Sequence, residues 1–390
     1  MERLSTESSG TSDAAAAEVF NEDILTEILL RLPVKSLMRC KGVSKRWRLL
    51  ISDYGFAKSH LQRLEAGDII ASQRIFKTSP LETIDYEVLD HGDGDGTVVK
   101  LHEPRIDNPD PSWNAELVGS CNGMVCLYVS GRVLGRFALY NPTTKEFRNL
   151  PYSNPFPEGT KLHGFGYDSQ SDDYKIVQGN VQGIGSGFVD WRIEEIFSLK
   201  SGSWKGSQAQ LGRNLLLHER GEGVYWKGAL HWCVVYESRE KIKSVIMSFD
   251  LSEEKFQQVL SVPEVNGDII FEGLGIHGAN LFLYHGSYAN YFQLWITSEY
   301  EKGGSWTNLF SVSEGISRHR FWRKIPVAYT RSGKIIFQVN VNRMILFNPE
   351  DNTYEDYPVQ FGNNIEHNIE SAVYMETLVS PYLDCEQSRI

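Results

Sequence analysis

The chain has 390 residues, a net charge of −11 and 41% hydrophobic residues, ample material for a sizeable core. The acidic balance argues against general nucleic-acid binding, and no apolar run approaches the ~20 residues that cross a bilayer. Aromatic residues at 12% and 34 glycines favour β-structure with many turns.

In chain order, residues 1–18 are expected to form a disordered tail, since they lack the basic start and long apolar core of a secretory signal. Asn21 is a good N-cap, with Glu22 and Asp23 in the first turn where the helix dipole favours negative charge. Ile24, Leu25, Ile28, Leu29 and Leu32 fall on one broad helical arc, with Leu30 off it. Pro33 ends that helix and is well placed to open a second over residues 34–40. Gly42 is the natural break before a third, which carries Val43, Trp47, Leu50 and Ile51 on one face. Between Asn21 and Asp53 seven basic residues stand against four acidic ones, a local +3 that leaves −14 on the rest of the chain. A basic face on an acidic protein suggests an acidic partner; a solvated helix face is the competing explanation. A unit of about forty residues seldom buries enough surface to stand alone. This head must dock on the chain's own β-domain, on another protein, or on both.

After the head the pattern changes to a degenerate repeat. "FALYNPTTKEFRNL", "EIFSLKSGSWKGS", "IMSFDLSEEKFQQV", "QLWITSEYEKGGSWTNL" and "MILFNPEDNTYEDY" share one shape: an apolar strand, a polar turn and an aromatic residue opening another strand. The second aromatics are Phe147, Trp204, Phe256, Trp306 and Tyr354, spaced by 57, 52, 50 and 48 residues. Asn141, Ser198, Asp250 and Asn348 follow the first strand's aromatic in four copies; the remaining copy has a longer turn. Further strand candidates with Gly, Asn and Asp turns lie around each copy. Roughly four strands per ~50 residues is the signature of a propeller blade. Blades bury their faces only against neighbours, so the ring must close, and residues 370–380 are expected to pair with strands in 67–101. Six blades are predicted, with five or seven as alternatives. The period is kelch-like, although the double glycine of strict kelch repeats occurs only at Gly303-Gly304.

Motifs for chemistry are sparse. The five cysteines, Cys40, Cys121, Cys126, Cys233 and Cys385, are odd in number and irregular in spacing, which suits a reducing compartment and buried thiols. "HGDGDGTVVKLHE" has His91 and His102 where a calcium loop needs Asp first and Glu twelfth. The glycine-rich stretch 179–190 has no Gly-Lys-Ser/Thr ending and reads as a hairpin tip. His231 sits in a strand pattern and is expected to be packed or hydrogen-bonded. No cofactor or metal ligand set is predicted. The exposed loops mix aromatic and charged residues of the kind enriched in binding hot spots. Trp113, Arg318, Arg320 and Trp322 are the candidate target-facing residues, with blade-edge packing the competing reading.

The head, "NEDILTEILLRLPVKSLMRCKGVSKRWRLLISD", resembles an F-box, the module that binds the Skp-type adaptor of cullin ubiquitin ligases. The matching positions include Glu27-Ile28-Leu29, Leu32-Pro33, Lys35-Ser36-Leu37, Val43-Ser44, Trp47 and Leu50-Ile51. Where the family usually has Leu-Pro before the first acidic pair, this chain has Phe20-Asn21. The body resembles the plant F-box-associated domain in "GSCNGMVCL", "LYNPTTKEFRNLP", "GFGYDSQSDDYKIV", "GVYWKGALHW", "FDLSEEKF" and "SWTNLFSV". The resemblance implies a three-helix F-box at residues 19–62, an all-β kelch-like propeller at 63–381 and a short C-terminal tail at 382–390. It further implies the non-catalytic substrate-recognition subunit of a Skp/Cullin/F-box ubiquitin ligase. The adaptor, and through it the cullin, would engage the head, with Ile28, Leu32, Pro33 and Leu37 in contact and Trp47 and Ile51 packing internally. The propeller would hold an unknown target protein for ubiquitination and proteasomal degradation, in cytoplasm or nucleus. The alternative from another class is a peptide or glycan reader working apart from any ligase.

Overall fold

The computed structural model describes residues 23–382 apart from 79, 91–97, 102–113, 131–134, 155–159, 185–187, 212–214, 218–221, 238–241, 261, 264–268, 287–288, 290, 300–305, 314–323, 341–342 and 357–369. Asn21, the expected first cap, lies outside that set. The head opens with helix α1 (residues 23–29). Pro33 directly precedes α2 (Val34–Cys40). Ser44 caps α3 (Lys45–Ile51), its Oγ accepting from the Trp47 amide at 3.1 Å. A fourth helix, α4 (Tyr54–Glu65), corrects the expectation of three. Asp53 caps it by accepting from the Phe56 amide at 2.9 Å, and Phe56, Ala57, His60 and Leu61 form its buried face. The spacing i, i+1, i+4, i+5 is that of an amphipathic helix.

Leu29, Val34, Leu37, Ile51, Phe56 and Ala57 make the head's core, and Leu378 from the far end of the chain completes it. The His60 ring nitrogen Nε2 lies 2.9 Å from the Leu32 carbonyl, tying α4 to the α1–α2 link. Leu61, one turn further along the same face, joins a body cluster with Val118, Cys121, Phe165 and Val379. The head therefore docks on its own β-domain, and α4 is the element with residues in both.

The body is built from antiparallel meanders. Short helix α5 (Ile69–Ser72) leads into β1 (Gln73–Lys77), which pairs with β2 (Glu82–Ile84); after helix α6 (Tyr86–Asp90), β3 (Val98–Lys100) pairs with the other side of β2. Strand β26 (Ser371–Met375) adds to the free side of β1, with Gln73 opposite Met375 and Lys77 opposite Ser371. The two ends of the chain thus share one four-stranded sheet, the closure expected from the repeat. The next sheet is β4 (Asn114–Cys121), β5 (Met124–Ser130), β6 (Gly135–Asn141) and β7 (Glu146–Asn149).

A ten-stranded sheet follows. It holds the meander β8 (Thr160–Asp168), β9 (Asp173–Ile184), β10 (Phe188–Ser198) and β11 (Ser203–Gly206), and the meander β14 (Glu222–Trp226), β15 (Ala229–Glu237), β16 (Ile242–Asp250) and β17 (Lys255–Leu260). A parallel contact at Glu222–His163 and Gly223–Gly164 joins them. The short β12 (Gln210–Leu211) and β13 (Leu215–Leu217) flank β10 and β15. Two more four-stranded sheets complete the body: β18 (Gly273–His277), β19 (Asn280–His285), β20 (Tyr291–Thr297) and β21 (Thr307–Ser313), then β22 (Lys324–Tyr329), β23 (Ile335–Val339), β24 (Arg343–Asn348) and β25 (Thr353–Asp356). Because two meanders share one sheet, sheets do not divide one per blade.

The repeat has a physical cause. In four meanders the third strand ends in a short polar residue that accepts amides of the following turn. The Asn141 Oδ1 accepts from Thr143 and Thr144, the Asp250 Oδ1 from Ser252 and Glu253, the Ser198 Oγ from Ser201, and the Asn348 Oδ1 from Glu350. The turns close on a left-handed residue: Lys145, Gly202, Glu254 and Asn352. The recurring aromatics then meet across the strands as Tyr140–Phe147, Phe197–Trp204, Phe249–Phe256 and Phe347–Tyr354. Cross-strand aromatic pairs of this kind stabilise a sheet by ~0.2–1 kcal/mol each.

Apolar side chains fill the gap between each meander and the next. Phe137 and Phe197 share one such cluster, Trp191 and Trp232 a second, Cys233 and Leu283 a third, and Phe292 and Phe337 a fourth. Ile336 with Ile75, and Phe76 with Val125, carry the packing through the closing sheet. Burial runs continuously round the ring.

Candidate functional site

Helix α4 and the C-terminal segment after β26 lie over one face of the body. Strands β4, β8, β14 and β18 end there in tight turns, and residues of those turns share a cavity wall with α4. The β4–β5 turn, Asn122-Gly123, has positive φ at both positions, as a two-residue hairpin turn requires. A Cβ at Gly123 would also run into Thr377, so the close approach of the C-terminal segment requires glycine there.

Several polar contacts fasten head to body. The Tyr54 hydroxyl donates to Asp172 at 2.7 Å, and the Lys58 Nζ lies 2.8 Å from the same carboxylate. Burial pushes the Asp172 carboxyl up, but Lys58, Tyr167 and Tyr54 outweigh it and hold the pKa at about 2. Lys35 of α2 pairs with Glu376 at 3.4 Å, which also pairs with Arg74. The Asn141 Nδ2 donates to the carbonyls of Thr377 and Val379 at 3.2 and 2.7 Å. Leu378, between those carbonyls, reaches into the head's core.

While these contacts brace the head, four of its aliphatic residues stay in solvent. Ile24, Ile28, Val43 and Leu49 are 44, 54, 67 and 56% exposed. No other aliphatic residues on the described surface stand out to this degree except Val88 and Val99 of the body. Arg39, Lys45, Arg46 and Arg48 of the head are exposed as well. The apolar arc read from the sequence is therefore split between two faces: Leu29 turns inward, Leu25 and Leu32 are half-buried, and Ile24 and Ile28 face solvent.

The structure separates the four expected contact residues. Ile28 and Pro33 are exposed and Leu32 is half-buried, but Leu37 is fully buried in the head's core. Its side chain packs in the cluster that Leu378 also joins. Val43, expected on the inner face of the third helix, precedes the Ser44 cap and is exposed. Ile51 is buried and Trp47 half-buried, as expected. Trp113, Arg318, Arg320 and Trp322 lie outside the described residues, as do residues 91–97 and 102–103 of the stretch compared with a calcium loop.

Among the described residues, three cysteines and His231 are buried in the packing. Cys121, Cys126 and Cys233 are buried in strand or turn positions, and burial pushes their thiols up, that of Cys233 to about 12. His231 is buried against Trp226 and its pKa is lowered to about 4 by desolvation. Among the described residues no group of three or more His, Cys, Asp or Glu is placed to hold a metal ion. None of the described helices is long and apolar enough to cross a membrane.

The chain thus combines a helical head, braced on its own body, with a ring of antiparallel meanders. Comparison with known proteins names the class. Residues 20–59 match the F-box domain and residues 76–381 the F-box associated beta propeller domain, and the chain belongs to this family of F-box proteins. It is 31% identical over 355 residues to F-box protein CPR1 of Arabidopsis thaliana, covering 84% of this chain and 81% of that one. It is 28% identical over 369 residues to an Arabidopsis thaliana F-box/kelch-repeat protein, covering 92% and 95%. Among solved structures, TolB from Acinetobacter baumannii overlaps 82% of this chain and 71% of its own with a TM-score of 0.43 at 11% identity. F-box proteins generally act as non-catalytic substrate receptors of Skp/Cullin/F-box complexes, and the F-box generally binds a Skp-type adaptor.

Proposed function

We propose that this protein is the substrate-recognition subunit of a Skp/Cullin/F-box ubiquitin ligase, acting in the cytoplasm or nucleus and making no bond itself. The observation that carries the reading is the exposure of Ile24, Ile28, Val43 and Leu49 on a head that is otherwise fixed to the body. Burying such residues is favourable by roughly 25 cal/mol per Å² of apolar surface, and the exposed arginines and lysines of the head favour an acidic partner surface. The adaptor docks there and brings the cullin with it.

The body, which we take as a six-bladed ring, holds the target. The face beneath the head is covered by α4 and the C-terminal segment, so the target engages the opposite face, where the inner strands begin. Ubiquitination and degradation follow from proximity: the target's lysines are held at high effective concentration beside a charged conjugating enzyme. The first test is co-purification of the full chain with a Skp-type adaptor, beside an Ile28→Asp/Leu49→Asp variant with an unchanged melting temperature. Capture by the wild type alone supports the reading. Capture of neither, or equal capture of both, removes its basis.

A further inference from the structure

Helix α4 crosses one face of the ring without filling the space beneath it. Between α4 and the strand turns lies a cavity of about 730 Å³. Tyr174, Tyr225 and Trp226 wall it from the body, Tyr54 and Leu61 from α4, and Val379 from the C-terminal segment. Pockets that hold small organic molecules have this size, ~300–1,000 Å³, and walls of this kind, aromatic and aliphatic.

The polar ends of the wall's large side chains are spent within the protein. The Tyr54 hydroxyl donates to Asp172 at 2.7 Å, the Tyr225 hydroxyl to the Tyr167 carbonyl at 3.0 Å and the Trp226 Nε1 to the Ala279 carbonyl at 2.8 Å. The Tyr174 hydroxyl accepts from the Asn122 Nδ2 at 3.1 Å. Gln73, also on the wall, donates to the Gly278 carbonyl at 3.3 Å and accepts from the Tyr86 hydroxyl at 3.2 Å. What the aromatic side chains have left to offer an occupant is ring carbon. Water gains little from such a wall, and an apolar molecule that displaces it gains the burial of its own surface.

The charges on the wall favour neither sign. The Lys58 ammonium lies 2.8 Å from the Asp172 carboxylate. Glu65 and Lys227 are both exposed and opposite in sign, and Lys227 donates to the Ser298 carbonyl at 2.6 Å. An ion entering the cavity would trade its hydration for an aromatic interior and a rim whose charges offset each other. A neutral molecule has no such cost.

We propose that this cavity binds a neutral, mainly apolar aromatic molecule, packed against Tyr225 and Trp226 beneath α4. Aromatic pairs gain from offset-stacked and edge-to-face contact beyond the area they bury, which favours a ring over an alkyl chain of the same size. The occupant is small, because Tyr54 and Lys58 tie α4 to Asp172 and Leu61 packs into the body. It touches head and body at once, so its binding stabilises the seam between them. The site does not depend on the ligase role proposed above.

The test uses the full chain and dyes built on one aromatic system. Phenylnaphthylamine is neutral, anilinonaphthalene sulfonate adds an anion to the same rings, and naphthylethylenediamine carries an ammonium tail. The neutral dye is expected to bind saturably with a rise in emission and to raise the melting temperature, and both charged dyes to bind at least tenfold more weakly. Ser120→Trp, at a wall position near the end of β4, fills the cavity and is expected to weaken the neutral dye at least tenfold. Tyr225→Leu removes a ring from the wall and is expected to weaken it several-fold. Both variants are read on protein that keeps its β signal in circular dichroism. Ile28→Asp/Leu49→Asp is expected to bind the neutral dye as the wild type does, which separates the cavity from the exposed aliphatic residues of the head. Charged dyes that bind as well as the neutral one, no binding of the neutral dye up to its solubility limit, unchanged affinity in both cavity variants, or lost affinity in the head variant would each overturn the proposal.

Discussion

The head and the body solve the problem of burying apolar surface in opposite ways. The body repeats one unit until the ring meets itself, so every meander finds a partner of its own kind, and its largest side chains, such as Trp191, Trp232 and Phe137, are fully enclosed. The head is too short for that. It borrows Leu378 from the other end of the chain to finish its core, and still leaves Ile24, Ile28, Val43 and Leu49 in water. A closed ring is complete without a partner; a small helical unit has surface left over, and that surface is where association is cheapest.

The contrast is broken most severely by removing the element common to both regions. Truncation before Glu370 deletes β26, which pairs with β1 over five residues, and removes Leu378 from the head. The ring then has an open edge and the head an uncovered core. The expected outcome is loss of a cooperative thermal transition by circular dichroism, with aggregation through the unpaired edge of β1. A truncated chain that melted as sharply as the full chain would show that closure does not hold the two regions.

Next in size is a pair of substitutions within the head. Leu37→Ala empties a fully buried site and is expected to cost about 2–5 kcal/mol in urea unfolding. Ile28→Ala, at a half-exposed site, is expected to change stability by less than about 0.5 kcal/mol while weakening adaptor capture. If the two residues traded these effects, the assignment of inner and outer face would be inverted.

That assignment shows where sequence reading stops. The meanders were legible because their causes are local: a short polar acceptor at Asn141, Ser198, Asp250 or Asn348, and an aromatic a few residues on that must meet the one before the turn. Closure was legible because a ring of blades has two loose ends. Leu37 and Ile28 could not be told apart, since both are apolar at helical spacing and the cluster that buries Leu37 draws on three other helices and on Leu378, more than three hundred positions away. Helix α4 left a signal in the Asp53 cap and in Phe56, Ala57, His60 and Leu61, but an alanine and a histidine weaken the apolar stripe. The cavity beneath α4 is assembled from the helix and several separate turns, and no stretch of sequence carries it.

A finer comparison uses one repeated position in two settings. Asn141 and Asn348 both accept turn amides, but Asn141 is fully buried and also donates to the carbonyls of Thr377 and Val379. Asn348 is half-exposed and accepts from Glu350 at 3.1 Å. Asn141→Ala leaves those two carbonyls without their donor and is expected to cost about 2–3 kcal/mol; Asn348→Ala removes a turn bond and is expected to cost about 0.5–1 kcal/mol. Equal losses would mean that the turn alone matters and that the C-terminal segment is held by other contacts.

The smallest expected effect lies at the seam. Asp172 accepts from Tyr54 and pairs with Lys58 at the surface end of α4, with about a third of its side chain exposed (34%). Solvent screening limits such a pair to roughly 1 kcal/mol or less. Asp172 has a positive φ of 53°, a conformation asparagine accepts well, so Asp172→Asn removes the charge and keeps the turn. The folded pKa of about 2 lies below the unfolded value of ~3.9, so the carboxylate stabilises the fold above pH ~4. That contribution fades as pH falls through about 2. The urea midpoints of wild type and Asp172→Asn should therefore differ by a constant amount between pH 7 and pH 5, and converge as the pH is lowered from 4 towards 2. A difference that persists unchanged into that acid range would mean that the charge on Asp172 is not what holds α4 to the ring, leaving Leu61 and the Tyr54 hydroxyl to do so.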